Sequence, residues 1–280
     1  RKFSVPVDTA RVLANGTVHA GDPIVDQLHI DVTADKRYLL KNELTLLAVV
    51  AANKWKRPIC FTNTTEIGRL GLARYARSRG MVYQLVPVAD QRVDNNTAYQ
   101  AVMTKYKYGN AGRPGVYFDE ENRRQLNILK MNHAEIAASL IAAGRKEEAR
   151  KVLEHYDAGV SEKNFPYGMT SKQSNFDNQV SMYFLEDCYA AGDIPLAAKV
   201  AASMKKDLLE QMRYYNSLGE SMTNEQLAIN AQQALQGKPA SLSERQLNFA
   251  SDILTSYQLL LGLEELQKKY LRLGSGQPAL

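Results

Sequence analysis

The first 110 residues alternate between short strand-like and short helix-like stretches of apolar positions. Leu28, Ile30 and Val32 are separated by polar residues, with the period of two that is typical of a half-buried strand. The pattern predicts strands at residues 3–7, 28–32, 59–62 and 81–86, and helices at residues 41–53, 70–78 and 99–106. Alternating strands and helices predict an α/β module with a small mixed or partly parallel sheet.

From Asp119 to the C-terminus the apolar positions follow the helical period instead. One face of the first long helix carries Leu126, Leu129, His133, Ile136, Ala137, Leu140 and Ile141. Further helices are predicted near residues 224–236 and 243–270. Because His133 lies on the apolar face of its helix, we expect it to be a hydrogen-bonded core histidine rather than a ligand.

An internal echo divides this helical region into similar pieces. The stretch IAAGRKEEARKVLE begins at Ile141, and the similar stretch YAAGDIPLAAKVAA begins at Tyr189. In each, a helix ends in Ala-Ala-Gly, and the next helix carries a small residue, Ala149 or Ala197, that allows close approach. Helix–turn–helix units of this kind are typical of tetratricopeptide-like repeats, although two units fall short of a free-standing array. The pattern predicts an all-α, tetratricopeptide-like helical-repeat domain, with an insertion at residues 159–175.

The distribution of charge supports a division of the chain near residue 110. Residues 1–110 carry 16 Lys/Arg and 9 Asp/Glu, whereas residues 111–280 carry 19 and 21. We therefore predict two domains, an α/β module at 1–110 and a helical domain at 111–280. A basic module could face anionic lipid head groups, acidic glycans or nucleic acid, or could simply have a basic surface.

Composition narrows the class of protein only slightly. The chain is 45% hydrophobic and 23% charged, which is ordinary for a folded protein, and it contains no apolar run of about 18 residues that could span a membrane. Because the sequence begins with Arg1, we expect it to be a processed or excised part of a longer protein. Cys60 and Cys188 have no CxxC partner, so buried free thiols are favoured and a disulfide between them stays open.

The stretch NKWKRPICF at residues 53–61 holds the only tryptophan of the chain and three cations. Pro58 lacks an amide hydrogen and restricts the residue before it, so a helix must end here. The three cations then lie where positive charge stabilises a helix C-terminus. The structural reading is a helix end, a turn and the start of a strand. The functional alternative is a ligand-facing loop with Trp55 as a stacking surface; nucleic-acid binding is less favoured because no basic–aromatic repeat follows.

Other candidate chemistry in the sequence is sparse. Tyr106 and Tyr108 alternate with lysines and could bind a sugar or base, or could pack in a linker. The nearest approach to a metal site is His29 with Asp31 on one strand face, with Asp22 and Asp26 upstream, and isolated surface polar residues explain this set more simply. Standard nucleotide-binding, hydrolase and metalloprotease motifs are absent from the sequence. We predict no catalytic residue, no metal site and no cofactor.

A family resemblance rests on three ordered motifs between residues 53 and 87. They are N-x-W-x-R-P-I-aromatic-F, then L-G-L-x-x-Y, then G-x-x-Y-x-L-V-P. The chain matches them at Asn53, Trp55, Arg57, Pro58, Ile59, Phe61, Leu70, Gly71, Leu72, Tyr75, Gly80, Tyr83, Leu85, Val86 and Pro87, and departs from them at Cys60. With KYKYGNAGRPGVYFDEENRR and the following helix pair, these motifs resemble the C-terminal soluble region of a family of large multi-pass membrane proteins from Bacteroidetes-type bacteria.

The resemblance implies a context rather than a reaction in this chain. Proteins of that family look like membrane glycosyltransferases of the GT-C architecture, related to transmembrane O-mannosyltransferases, whose catalytic acidic residues lie in loops between membrane helices. The chain would then be a non-catalytic tail on the periplasmic side of the bacterial inner membrane, attached through membrane spans outside this sequence. It would recruit or position an acceptor protein or a partner, and would bind no nucleic acid.

The family motifs also supply candidate binding residues, which could equally be structural. They are Asn53, Trp55, Arg57, Pro58, Tyr75 and Tyr83. The alternative function is a protein-interaction scaffold in envelope assembly with no transferase activity. An independent glycan hydrolase is least favoured because no pair of carboxylates is placed for acid–base catalysis.

Overall fold

The structure is a computed structural model that describes residues 2–32, 38–89 and 93–274. The chain divides into two compact units, Arg1–Lys105 and Tyr106–Leu280. The first unit contains β1 (Lys2–Pro6), α1 (Thr9–Ala14), β2 (Gln27–Asp31), α2 (Lys41–Asn53), β3 (Cys60–Phe61), α3 (Thr65–Gly68), β4 (Ala76–Ser78), β5 (Tyr83–Leu85) and α4 (Asn95–Lys105).

The strands of the first unit form two small antiparallel sheets. β1 pairs with β2, and a second sheet has the order β3-β5-β4 with both ladders antiparallel. The predicted partly parallel sheet is therefore wrong for the described residues, where the only parallel pairing is an isolated bridge between Ser78 and Val93. The reason is local: only four residues separate β4 from β5, whereas a parallel connection needs a crossover of about a dozen.

Several sequence predictions for this unit are confirmed. β2 alternates as expected, with Leu28 and Ile30 buried and its other three residues exposed. Helix α2 has the predicted bounds, Lys41–Asn53. Both elements pack on a core that also contains Val12, Trp55, Leu72 and Val86.

Two further predictions for the first unit are wrong. Residues 70–78 do not form a helix: a single 3-10 turn, Ala73–Tyr75, leads directly into β4. Gly71 has a φ of +70°, and a side chain there would lie 2.5 Å from the carbonyl oxygen of Asp31. The helix is thus excluded by a left-handed residue in close contact with β2. The expected buried strand at 59–62 is only two residues long, and Cys60 within it is exposed.

The second unit is helical throughout its regular structure in the described range. It contains α5 (Glu120–Ala142), α6 (Lys146–Gly159), α7 (Lys172–Ala191), α8 (Ile194–Ser217), α9 (Asn224–Leu235), α10 (Glu244–Leu247) and α11 (Ala250–Gly274). α5 packs on α6 and α7, and α11 packs on α7, α8 and α9. No helix in the described part of the chain is long and apolar enough to cross a membrane.

The internal echo corresponds to two helical hairpins, α5–α6 and α7–α8. Asp119 caps α5, the first helix of one hairpin, and Asp193 caps α8, the second helix of the other. Each carboxylate accepts a hydrogen bond from the backbone amide three residues further along the chain. Ala149 and Ala197 are fully buried, as close helix approach requires. Two helical hairpins are thus present, while a tetratricopeptide-like repeat stays a prediction.

A buried polar network joins α7, α8 and α11 within this unit. The Asn175 amide donates to Gln211 Oε1 at 3.0 Å, and Ser256 Oγ donates to the same oxygen at 2.8 Å. Asn178 donates to both Asn175 and Asp207, at 2.9 and 2.7 Å. Polar groups this deeply buried must be satisfied in one arrangement, so the network fixes how the three helices pack.

Both cysteines are free thiols. Cys188 is buried in the second unit, where burial raises the pKa of its thiol far above the usual range. Cys60 is exposed, so the expectation of buried thiols holds for only one of the two.

Candidate functional site

The turn after α2 is held by Asn53, one of the candidate binding residues. Its Oδ1 accepts from the amide of Arg57 at 3.1 Å, and its Nδ2 donates to the carbonyl of Arg57 at 3.0 Å. Between these anchors Lys54 and Trp55 adopt left-handed φ values of 50° and 60°. The side chain of Asn53 therefore closes a tight, strained turn, which is the structural reading of NKWKRPICF.

Trp55 connects this turn to two other elements of the first unit. Only 9% of its surface is exposed, and its indole Nε1 donates to the carbonyl of Pro6 in β1 at 2.9 Å. Its own carbonyl accepts from Asn15 Nδ2, at the end of α1, at 2.8 Å. Trp55 is thus a core residue with its polar atom satisfied, and it presents no open ring face.

The space beside Trp55 is too small for a sugar ring or a peptide. A cavity of about 10 Å³ is lined by Thr17, Val50, Asn53, Trp55, Arg57, Pro58, Ile59 and Leu85. That volume holds about one water molecule. Arg57 and Pro58 are exposed at its rim.

The other two candidate residues lie away from this turn, Tyr75 in the 3-10 turn before β4 and Tyr83 in the second sheet. Tyr75 is buried, and its hydroxyl accepts from the amide of His29 in β2 at 3.0 Å. Tyr83 is half-buried in β5. The structure therefore gathers four of the six residues at one turn and places two elsewhere, and a role of any of them in binding stays a prediction.

Ionic contacts beside β4 involve two aspartates, Asp94 and also Asp22, which belongs to the suggested metal set. Asp22 accepts from Arg77 at 2.8 Å, and Asp94 contacts both His19, at 2.7 Å, and Arg79, at 3.3 Å. Burial opposes ionisation of each aspartate, but the hydrogen bonds and nearby positive charges lower the pKa of both carboxyls below their usual value. Across the described ranges, no three His, Cys, Asp or Glu side chains are grouped so that they could hold a metal ion.

The second unit contains a much larger opening, which we call the tyrosine cleft. It has a volume of about 340 Å³ and is lined by Tyr106, Lys107, Tyr108, Gly109, Gly112, Arg113, His155, Ala158 and Gly159. One wall is the loop that begins the unit, and the other is the C-terminal end of α6. The sequence pattern indicates Tyr106 and Tyr108 as candidate binding residues, but it gives no signal for His155 and Gly159 on the opposite wall.

Tyr108 is fixed in this cleft by a buried histidine. Its hydroxyl lies 2.7 Å from His133 Nε2, while His133 Nδ1 lies 2.7 Å from the carbonyl oxygen of Leu129. Because burial lowers the pKa of His133 to about 4, the ring is neutral near pH 7. The carbonyl can only accept, so Nδ1 carries the proton and Nε2 accepts from the tyrosine hydroxyl. The prediction of a hydrogen-bonded core histidine is confirmed.

Gly159 makes room for the Tyr108 ring at the end of α6. A Cβ atom at residue 159 would lie 2.2 Å from Cδ2 of that ring, well inside contact distance. The ring also packs near His155 and Tyr156, with centroid distances of 5.7 and 6.2 Å. The position of Tyr108 therefore depends on the absence of a side chain at residue 159.

The loop wall of the cleft is anchored from below. Asn164 Nδ2 donates to the carbonyls of Ala111 and Arg113, at 2.8 and 2.5 Å, and the amide of Ser161 donates to Ala111 at 2.9 Å. Tyr106 donates to Asn132 on α5 at 2.5 Å. These bonds hold the wall in one conformation, so a ligand would meet a largely preformed surface.

The side chains around the cleft favour binding over bond cleavage. Lys107 and Arg113 are exposed cations, and no carboxylate belongs to the lining described above. Lys130 in the helical core has a pKa that burial lowers to about 7, but it is fully buried and donates to Ser181 at 2.7 Å. A reacting group must reach the substrate, and Lys130 does not reach the surface.

Similarity to known proteins concerns the first unit. Residues 1–106 match a protein family described as TMEM260-associated domain 2. The match ends at the boundary between the two units, and the helical unit lies outside it. No curated protein and no solved structure matches the chain. The first unit is therefore similar to a TMEM260-related family.

Proposed function

We propose that the chain is a non-catalytic, extracytoplasmic domain of a membrane-bound, glycosyltransferase-like protein, and that it recruits the acceptor polypeptide. The transferase context is supported by the similarity of residues 1–106 to a TMEM260-related family, since TMEM260 is a candidate transmembrane O-mannosyltransferase. A position on the periplasmic side of the bacterial inner membrane belongs to the same proposal, on the strength of the sequence motifs between residues 53 and 87.

The tyrosine cleft is the observation that carries the recruiting role. It combines an open volume of about 340 Å³ with a wall held by hydrogen bonds, which is the usual form of a binding site. Tyr108 and His155 offer ring surfaces for apolar side chains. Lys107 and Arg113 offer donors for peptide carbonyls or carboxylates. Gly109 and Gly112 expose backbone, which lets an extended chain approach closely.

The architecture of the helical unit fits the same role. Two hairpins, α5–α6 and α7–α8, pack together where α7 contacts α5 and α6, and the small residues Ala149 and Ala197 are fully buried. We interpret them as tetratricopeptide-like repeats completed by α11, which packs on α7 and α8 as a third unit would. Stacked repeats of this kind form extended surfaces suited to polypeptide segments.

The proposal is tested by peptide binding to the complete chain. Labelled peptides rich in Ser and Thr, taken from extracytoplasmic proteins of the source organism, are titrated with the chain and followed by fluorescence anisotropy. We expect Arg113→Ala and His155→Ala each to weaken binding about fivefold to tenfold, which corresponds to about 1–1.4 kcal/mol for a contact of average quality. Arg213→Ala, an exposed arginine on α8, is the matched control and should leave binding unchanged.

Two results would argue against acceptor recruitment. Equal loss of binding in Arg113→Ala and Arg213→Ala would show that only general positive charge matters. Isolation of the chain in a stable complex with an unglycosylated envelope protein, insensitive to both cleft variants, would favour the scaffold alternative.

A further inference from the structure

Helix α2 of the first unit is apolar on both of its sides, although only one side is covered. Its inner side faces the core through Leu46, Leu47 and Val50. Its outer face consists mainly of Leu44, Thr45, Ala48, Val49, Ala51 and Ala52, all exposed to solvent, with the exposed polar residues Lys41 and Asn42 at its N-terminal end. A helix that is apolar all round is normally covered on both sides.

The outer face of α2 is extended by apolar residues and offers little polar chemistry of its own. Leu44 is 52% exposed and Val49 49%, and Leu40 and Tyr38, just before the helix, are exposed as well. The one hydroxyl on the face, that of Thr45, donates to the carbonyl of Lys41 at 2.8 Å. Its hydrogen is therefore already used inside the helix, so the part of the face that follows Asn42 can leave water without losing a hydrogen bond.

Positive charge flanks this face at both ends. Lys41 begins the helix, Lys54, Lys56 and Arg57 follow its end, and all four are exposed. Between residues 38 and 65 the only acidic residue is Glu43, which is buried and whose carboxylate accepts from the amide of Leu40 at 2.7 Å. The surface around α2 is thus apolar in the middle and cationic at its ends, with no exposed carboxylate in this stretch.

We propose that α2 is a membrane-surface contact, which lies flat on a bilayer that contains anionic phospholipid. Its 13 residues form a rod of about 20 Å in the plane of the head groups. Leu44 and Val49 enter the boundary between head groups and acyl chains, and the flanking cations pair with lipid phosphates. Charge complementarity selects an anionic lipid surface over a neutral apolar partner. The proposal depends only on the residues of the first unit, and it does not depend on peptide binding by the tyrosine cleft.

The first test is co-sedimentation of the complete chain with lipid vesicles. Vesicles of phosphatidylcholine alone are compared with vesicles in which part of the lipid is phosphatidylglycerol. We expect binding to the anionic vesicles only. Leu44→Ser and Val49→Ser should each weaken this binding about fivefold, because each side chain is about half exposed and each substitution removes that exposed apolar area from the contact with lipid. Leu13→Ser, a similarly exposed leucine on α1, is the matched control.

The charge contribution is measured separately in the same assay. Lys41→Ala and Lys56→Ala should each weaken binding to anionic vesicles about fivefold at low ionic strength, and added salt should weaken binding of the unmodified chain. Lys105→Ala, an exposed lysine at the end of α4, is the control for general charge and should have little effect. An equal effect of Lys105→Ala would overturn the assignment to α2.

A second test removes nothing from the face. In a Cys60→Ser background, Ala48→Cys on α2 and Ala10→Cys on α1, both exposed alanines in the native chain, each receive an environment-sensitive fluorophore. Anionic vesicles should shift the emission of the label at residue 48 to the blue and leave the label at residue 10 unchanged. No shift at 48, or equal shifts at both, would overturn the proposal. So would a dimer in solution that Leu44→Ser dissociates, since the outer face would then belong to a second copy.

Discussion

Replacing Gly159 by alanine tests the geometry of the tyrosine cleft. The new Cβ would lie 2.2 Å from the Tyr108 ring, so the ring must move and its hydrogen bond to His133 must break. Overpacking costs about 1–3 kcal/mol, and leaving a buried partner unsatisfied costs about 1–3 kcal/mol more. Alanine at a helical position returns about 0.5–1 kcal/mol relative to glycine. We therefore expect Gly159→Ala to lower the free energy of unfolding by about 1–5 kcal/mol.

The sign of this effect should reverse when the ring is absent. In a Tyr108→Ala background the clash does not exist, so Gly159→Ala should be neutral or stabilise by up to about 1 kcal/mol. Gly262→Ala in α11 is the matched control: its Cβ would meet only Met182 Cε at 3.8 Å, and we expect a gain of about 0.5–1 kcal/mol.

Urea denaturation separates the two units in this experiment. Far-UV circular dichroism follows mainly the helical unit, while Trp55, the only tryptophan, reports on the first unit. Gly159→Ala should shift the circular dichroism transition and leave the fluorescence transition unchanged. The reasoning is refuted if Gly159→Ala costs the same with and without the Tyr108 ring, or costs nothing in the native sequence.

Three further predictions follow from buried groups. Lys130→Met should raise the stability of the helical unit at pH 7. In the unfolded chain the lysine has a pKa of about 10.4, whereas in the folded chain its pKa is about 7. The stability of the native chain should therefore increase as the pH rises from 7 to about 10, and the stability of the variant should not. In that variant Ser181 still donates to the carbonyl of Tyr167, so its hydroxyl keeps a hydrogen bond. The same dependence of stability on pH in the variant and the native chain would contradict the lowered pKa of Lys130. Asp94→Asn should remove part of the loss of stability in acid. The pKa of Asp94 is lower in the folded chain than in the unfolded chain, so its carboxylate stabilises the fold at pH values above the unfolded pKa, and this stabilisation is lost as the pH falls through the folded pKa. Acid titration followed by Trp55 fluorescence measures the difference. Trp55→Ala should cost about 3–5 kcal/mol in urea denaturation and Arg57→Ala less than about 0.5 kcal/mol, whereas equal costs would contradict the core role of the tryptophan.

Sequence patterns predicted those elements whose limits are set by local chemistry. Helix α2 ends as expected because Pro58 prevents continuation and Asn53 bonds across the turn. Helix α5 begins directly after Asp119, whose carboxylate accepts from the amide of Asn122. The paired helices of the internal echo were also predicted, because Gly144 and Gly192 mark their turns with positive φ values.

The wrong and missing predictions arise from contacts between residues that are distant along the chain. Residues 70–78 have apolar spacing compatible with a helix, but Gly71 is pressed against Asp31 and the chain turns there instead. The tyrosine cleft brings Tyr108 against Gly159 and His155, and no periodicity along the chain relates these positions. Such sites arise from tertiary packing, which overrides local preference.

Site-specific photo-crosslinking in living cells tests acceptor recruitment most directly. A photoreactive amino acid replaces Lys107 at the cleft or, as the control, Lys206 on the exposed surface of α8, and captured proteins are identified by mass spectrometry. If the cleft recruits acceptors, residue 107 captures extracytoplasmic polypeptides that carry O-linked sugar elsewhere in the cell, and residue 206 does not. Capture of the same proteins at both positions, or of a single unglycosylated partner at residue 107, would contradict acceptor recruitment through the tyrosine cleft.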